Sequence, residues 1–143
     1  MQCEDVKLAG LGSRNSLRME AGLCLYGNDI SSSVSPIEAG LTWSIPKARI
    51  EKGGFIGHEA IKNDLENGVE RKLVGIKPLG KLPAREGTQI FDKNEKTIGE
   101  ITSGGYSPSL QAPIAMGYIN SDTLKSNCEV LLSVRGNLIP AEI

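Results

Sequence analysis

The stretch "GTQIFDKNEKTIGEIT", residues 87–102, decides how this chain is read. Apolar and β-branched residues flank the polar run Asp92–Glu95, the pattern of two strands joined by a tight turn. The same period extends outward. "KLVGIKPLG" (72–80) is strand-like, with Pro78 confined to an edge or an end because it has no N–H to donate. "IAMGYI" (114–119) is a further short strand. In "CEVLLSVRG" (128–136), Cys128, Val130, Leu132 and Val134 share one face, and Gly136-Asn137 is expected to turn the chain into "LIPAEI". Five or six short strands at this spacing predict a mainly β fold, a small antiparallel barrel or sandwich.

Ahead of the strands the pattern changes. His58 to Glu66 reads as a short helix with Ile61 and Leu65 as its apolar stripe, and Asn67-Gly68 offers a left-handed stop. Residues 37–46, around Trp43, fit helix or strand, and Pro46 is expected to end that element. "KARIEKGGF" (47–55) is expected to be exposed, with a Gly-Gly turn. "NDISSSVSP" (28–36) is a polar loop. "GLGSRNSLRMEAGLCLYG" (10–27) reads as a lead-in and a short helix. Ser13, Asn15 or Ser16 is the candidate N-cap. Leu17, Ala21 and Cys24 recur at i, i+4 and i+7 as an apolar face. Arg14 and Arg18, four apart, share another face, and Gly22 is a close-packing point or the C-cap. A domain boundary is expected near residues 46–54. The front helix has an apolar face with nothing in the sequence to cover it, and Ile143 stands inside a strand-like run, so both ends look interrupted.

Composition excludes several classes. The chain has 143 residues with 16 Lys and Arg against 17 Asp and Glu, a net charge of −1. That argues against a broad nucleic-acid or membrane footprint. No apolar run approaches the ~18–20 residues of a membrane span. The N-terminus carries neither a secretory signal nor an Arg- and Ser-rich transit peptide, so a bacterial cytoplasmic or mature imported product is expected. Cys3, Cys24 and Cys128 show no C-x-x-C spacing, so no metal site or redox motif is indicated, and reduced thiols are expected.

Five blocks then occur in order: "GLGSRNSLRMEAGLCLYGNDI", "SPIEAGLTWSI", "FIGHEAI", "RKLVGI" and "GEITSGGYSPSLQAPIAMGYI". The series closely resembles the C-terminal portion of the glycine cleavage system T-protein family, the aminomethyltransferases, over about residues 7–143. The resemblance implies a three-domain enzyme, its first two domains forming a mixed α/β folate-binding part and its third a β-barrel. Residues 1–46 would be the short helical end of the folate-binding α/β domain. Residues 47–143 would be the C-terminal antiparallel β-barrel, without the family's last residues. The implied reaction passes the carbon of an aminomethyl group on lipoyl H-protein to tetrahydrofolate, releasing ammonia. Tetrahydrofolate is then a co-substrate, with no metal, and H-protein the partner. The compartment is the bacterial cytoplasm, or the mitochondrial matrix in a eukaryote. Such a reaction needs the folate amine held beside the carbon it attacks and a carboxylate to set its protonation. The family's aspartate for that role lies upstream of Met1, so no catalytic residue is assigned here, and the chain alone is expected to be inactive.

One site residue carries over. The family's Ala-Arg-Asp triplet reads Ser13-Arg14-Asn15 here, which makes Arg14 the implied folate contact. Its planar fork suits a carboxylate or a pterin carbonyl. Asn15 departs from the family's aspartate and puts the pairing around Arg14 in question. Similar architecture occurs in the C-terminal parts of sarcosine and dimethylglycine dehydrogenases and in a folate demethylase. A non-catalytic folate-binding or docking module is the remaining alternative. Arg18 and Glu20 are read as structural, pairing locally or across to other domains. Glu38 is placed on the folate side. "GLG" (10–12) lacks the third glycine of a dinucleotide loop. "TSGGYSPSL" (102–110) is read as a barrel loop rather than a phosphate cradle. His58 is read as a surface residue, and the Lys and Glu residues near 93–100 as a solvated hairpin face.

Overall fold

A computed structural model of the chain describes residues 5–124 and 129–143. Six strands close into a barrel: β1 (Arg71–Pro78), β2 (Gln89–Phe91), β3 (Thr97–Ser107), β4 (Ala112–Asn120), β5 (Glu129–Val134) and β6 (Asn137–Glu142), in the order β1-β4-β3-β2-β5-β6. All six neighbouring pairs are antiparallel. Closure pairs both outer strands and leaves the sheet without an edge. The fold is therefore mainly β, a barrel rather than a sandwich. Its interior is filled by Ile76, Ile90, Ile101, Ile119, Val130 and Leu132, all buried. β-Branched side chains dominate because they fit a pleated wall packed from one side. Each contributes about 1.5–3 kcal/mol by leaving water.

The predicted hairpin over 87–102 forms. Asp92 anchors it: its N–H donates to the Lys96 carbonyl, and its Oδ1 accepts the N–H groups of Asn94 and Lys96, each at 2.9 Å. Val130, Leu132 and Val134 face inward as expected, while Cys128 and Cys3 lie outside the described residues. The next turn falls one residue earlier than predicted. Val134 pairs with Asn137, so Arg135-Gly136 makes the turn, with φ of 53° and 80°. A two-residue hairpin turn of this kind needs positive φ at both positions, which glycine supplies at one of them. Thr102–Ser107 of "TSGGYSPSL" belong to β3 and not to a loop; the chain turns only over residues 108–111. β3 carries a bulge at Thr102, since Ile101 pairs with Gly117 and Ser103 with Met116. Pro78 ends β1, opposite Ala141.

Among the described residues four short α-helices accompany the barrel, α1 (Leu11–Glu20), α2 (Lys47–Lys52), α3 (His58–Asn67) and α4 (Ser121–Leu124), with a single 3-10 turn at Thr42–Ser44 in the segment read as helix or strand. Helix α3 forms where predicted, with Ile61 buried and Gly68 at φ 81° just past its end, but Leu65 of the expected apolar stripe is exposed. Residues 47–52 are mostly exposed as expected, and Gly53-Gly54 follow with positive φ, but the segment ahead of them is helical, forming α2. Pro46 starts it rather than only ending what precedes, its carbonyl accepting the N–H groups of Arg49 and Ile50; fixed φ suits a proline to a helix start as well as a stop. In α1 the N-cap is Gly10, without a side-chain cap. The Ser13 and Ser16 hydroxyls instead donate back to the carbonyls of Gly10 and Gly12 at 2.6 and 2.8 Å. Of the two roles open to Gly22, the helix stop is realised. Leu23 N–H reaches the Arg18 carbonyl (2.8 Å) and Gly22 N–H the Met19 carbonyl (3.0 Å), with Gly22 at φ 66°, a Schellman motif.

Candidate functional site

The expected apolar face of α1 is not the buried one. Leu17 is 64% exposed, Ala21 is exposed, and Cys24 lies beyond the helix. The side toward the barrel is Arg18-Met19-Glu20, and these three consecutive residues meet three alternate residues of β3. Arg18 Nη2 donates to Ser103 Oγ at 2.8 Å. The Met19 methyl lies 2.9 Å from where a Cβ on Gly105 would stand. Glu20 Oε1 accepts from Ser107 Oγ at 2.6 Å. Alternate strand residues share a face, so the helix end sits astride β3, with Arg18 and Glu20 reaching opposite ways along it.

Arg18 is nearly saturated. Its Nη1 pairs with Asp29 Oδ2 and donates to the Leu23 carbonyl at 3.2 Å, and its Nε donates to Asn15 Oδ1 at 2.9 Å. Asp29, in the loop read as merely polar, is 1% exposed. It accepts from the Leu25 N–H at 2.9 Å and, through Oδ1, from Thr102 Oγ1 at 2.6 Å. Its backbone carbonyl accepts from the Tyr118 hydroxyl at 2.8 Å. The Thr102 bulge makes this possible: with one extra residue in β3, two successive hydroxyls, Thr102 and Ser103, both serve the Arg18–Asp29 pair. A buried carboxylate without such partners would be strongly unfavourable.

The titratable groups around this seat are perturbed for visible reasons. Burial, with smaller contributions from neighbouring charges, pushes Tyr118 up to about 12. Burial also raises the Cys24 thiol, reinforced by the Asp29 charge, and its Sγ faces the Ala39 carbonyl at 3.9 Å. Hydrogen bonds from Ser107 and from the hydroxyl and N–H of Ser109 hold Glu20 below its ordinary value.

Arg14 stands apart from this network. It is exposed on α1 beside a groove of about 690 Å³ that Leu11, Leu17 and Leu23 also line. Among the described residues it forms no hydrogen bond or ion pair. Asn15, where the family's aspartate stands, is engaged by Arg18 and not by Arg14. Glu38 is not near Arg14: it takes Arg71 Nε at 2.9 Å and the Ser35 N–H at 3.0 Å, and Arg71 lies over the Tyr118 ring. His58 is not a surface residue. It is half-buried between α2 and α3, Nε2 donating to the Ile50 carbonyl at 3.0 Å and its ring edge-on to Phe55. Among the described residues no three or more His, Cys, Asp or Glu side chains come together as a metal site, and no helix is long and apolar enough to cross a membrane.

Sequence reading missed Asp29, Thr102, Ser103 and Tyr118. The only local hint was Arg18, a cation on a helix beside an apolar stripe, which required an acid that the sequence did not point to.

Comparison with known proteins agrees with this architecture. The profile of the glycine cleavage T-protein C-terminal barrel domain matches residues 71–143, and that of the GCVT N-terminal domain matches residues 2–49. The mitochondrial aminomethyltransferase of Solanum tuberosum is 49% identical over 131 residues, 92% of this chain and 32% of that protein. That of Dictyostelium discoideum is 46% identical over 140 residues, 96% of this chain and 34% of that protein. The crystal structure of glycine cleavage system aminomethyltransferase T from Bartonella henselae superposes with a TM-score of 0.90 at 44% identity, covering 96% of this chain and 38% of that one. The chain thus spans about a third of the length of these relatives. Barrel, flanking helix and sequence point to one conclusion: the chain belongs to the glycine cleavage T-protein family.

Proposed function

We propose that this chain is the C-terminal part of a tetrahydrofolate-dependent aminomethyltransferase of the glycine cleavage system. In this reading the carbon of the aminomethyl group on lipoyl H-protein passes to tetrahydrofolate and ammonia is released. Residues 1–46 would close the folate-binding α/β domain, and residues 47–143 would be the C-terminal barrel domain, with α2 and α3 ahead of its strands. The relatives' names supply the reaction class. The observation that carries the site is Arg14. Arg18 spends its donors on Asn15, Leu23, Asp29 and Ser103, while Arg14, unpaired among the described residues, is exposed and lines a groove on α1.

A guanidinium in that position fits a folate. Its fork offers paired N–H donors to a carboxylate or a pterin carbonyl, and the neighbouring leucines offer an apolar wall to a flat ring. Arg14 would bind and orient tetrahydrofolate, which supplies the amine that takes up the carbon. The carboxylate that sets the amine's protonation has no counterpart assigned among these 143 residues, so the chain by itself is expected to lack transfer activity. The matrix in a eukaryotic host, or the cytoplasm in a bacterium, is the matching compartment.

The test is Arg14→Ala in the complete polypeptide that carries these residues, assayed with lipoyl H-protein and tetrahydrofolate. Tetrahydrofolate binding or turnover should weaken about tenfold or more, near 1.4 kcal/mol. An unchanged Kd and kcat would remove Arg14 from the site. Turnover of a methylated amine or ether with no response to H-protein would replace the transferase by a demethylase or dehydrogenase reading.

A further inference from the structure

Asp29 has no place in the function proposed above, yet it is the most buried charged side chain described. It faces Arg18 from one side and the Thr102 hydroxyl from another. Its own backbone is fixed at both ends: the Asp29 N–H donates to the Leu25 carbonyl at 2.9 Å, and the Asp29 carbonyl receives the Tyr118 hydroxyl at 2.8 Å. Tyr118 in turn belongs to β4 and Thr102 to the β3 bulge. Asp29 is thus referenced to two adjacent barrel strands, and through Arg18 it references α1 to the same strands.

Arg14 lies one turn ahead of Arg18 on α1, with Asn15 between them bonded to Arg18 Nε. The first turn of the helix has no side-chain cap and no other polar tie to the barrel among the described residues. The pitch and rotation of α1 are therefore set at its C-terminal end, where Arg18, Met19 and Glu20 are seated. A helix rotated by one residue turns through about 100°, which would carry Arg14 off its groove.

We propose that Asp29 is a positioning residue for the tetrahydrofolate site: through Arg18 and the bulge hydroxyls it holds α1, and with it the Arg14 guanidinium, in binding register on the barrel. This rests on the reading of Arg14 as the folate contact. Buried ion pairs are weak sources of stability but can specify register, and this pair has the directed hydrogen bonds that such a role needs.

The test measures tetrahydrofolate affinity by titration calorimetry in the complete polypeptide, well below each variant's melting temperature. Two milder variants accompany Asp29→Asn: Thr102→Val removes one donor to Asp29, and Thr102→Ser restores it. Asp29→Asn should weaken tetrahydrofolate at least fivefold, and Thr102→Val two- to fivefold, with Thr102→Ser close to the parent. Asp29→Asn should add little on top of Arg14→Ala, because both act on one contact. A lowered melting temperature with unchanged affinity in Asp29→Asn and Thr102→Val overturns the proposal and leaves the Arg14 reading standing. Weakened affinity in Asp29→Asn with none in Arg14→Ala removes Arg14 as the contact and overturns the proposed link through it. Full additivity of the two substitutions overturns the link between them. No tetrahydrofolate binding by the parent polypeptide overturns both readings.

Discussion

Gly104 and Gly105, adjacent in β3, should respond to very different degrees to the same substitution. A Cβ on Gly104 would stand 1.9 Å from the Ala84 carbonyl oxygen and 2.9 Å from its carbon. Heavy-atom contact is favourable near 3.5 Å, so the overlap is about 1.5 Å, and the obstacle is backbone that cannot rotate away. A Cβ on Gly105 would meet only the Met19 methyl, at 2.9 Å. Methionine has three rotatable bonds and adapts at little cost. Ordinary overpacking costs about 1–3 kcal/mol, occasionally more. Gly104→Ala, which forces two backbone segments apart, should lose about 3 kcal/mol or more. Gly105→Ala should lose about 1 kcal/mol or less, offset in part by the ~0.4–1 kcal/mol that a stiffer unfolded chain contributes. In melting temperature the first is about 10 °C and the second a few degrees. Urea unfolding followed by circular dichroism, with a shared m value, gives both numbers. Equal losses, or the larger loss at Gly105, would refute the assignment of these glycines to close strand packing. The same result would revive a loop whose backbone N–H groups face a ligand, which their pairing with Ala115 and Ile114 now argues against.

Two further predictions concern ionisation. Tyr118, pushed up to about 12, has a folded value above that of a free tyrosine, near 10. Its neutral form is favoured in the fold, so the stability it confers is intact below pH 10 and is lost as pH rises from about 10 toward 12. Absorbance titration at 295 nm should show one late phenol that disappears in Tyr118→Phe; a Tyr118→Phe curve identical to the parent's would contradict this. Glu20 is depressed by its serine donors, so its contribution is full above the ordinary carboxylate range and is lost as pH falls on through its lowered folded value. Glu20→Gln should therefore lower the melting temperature at pH 7 by an amount that narrows as pH falls below the ordinary carboxylate range, and a gap independent of pH would count against the Ser107 and Ser109 contacts.

The strands were legible because their information is local. Period-two alternation around Ile90, Ile101 and Leu132 needs no knowledge of the partner strand. The Arg135-Gly136 turn slipped by a residue because Gly-Asn is as good a turn pair as Arg-Gly on sequence grounds. Helix α2 was hidden because Pro46 is read more readily as a terminator than as a start. The seat of α1 was legible only on the helix side, where Arg18 and Glu20 read as structural pairing residues; their partners were not. Arg18 meets Ser103 across 85 positions and Glu20 meets Ser107 across 87. Asp29 reaches Thr102 across 73 and Tyr118 across 89. A rule that lays the apolar stripe of a helix on the nearest core has no access to such partners, and here it chose the wrong face.

That inversion has a physical logic. Apolar attraction is non-directional, so a helix laid on the barrel through Leu17 and its neighbours could slide or roll with little penalty. Arg18 and Glu20 cannot: Arg18 is matched to Asp29 and Ser103 and Glu20 to Ser107, and moving by one residue strands the buried Asp29 charge. Breaking such a pair costs about 3–5 kcal/mol, more than the ~1.5–3 kcal/mol that burying one leucine in its place would supply. The result is one register, fixed at the end of the helix away from Arg14. Leu11, Leu17 and Leu23 remain on the outer side, 85%, 64% and 51% exposed, around the one arginine of the helix whose donors are unspent among the described residues. A guanidinium held in fixed register, with an apolar surround and no partner on the barrel, is what a flat ligand bearing a carbonyl or carboxylate requires. The polar seat against β3 is what leaves that combination on the free face.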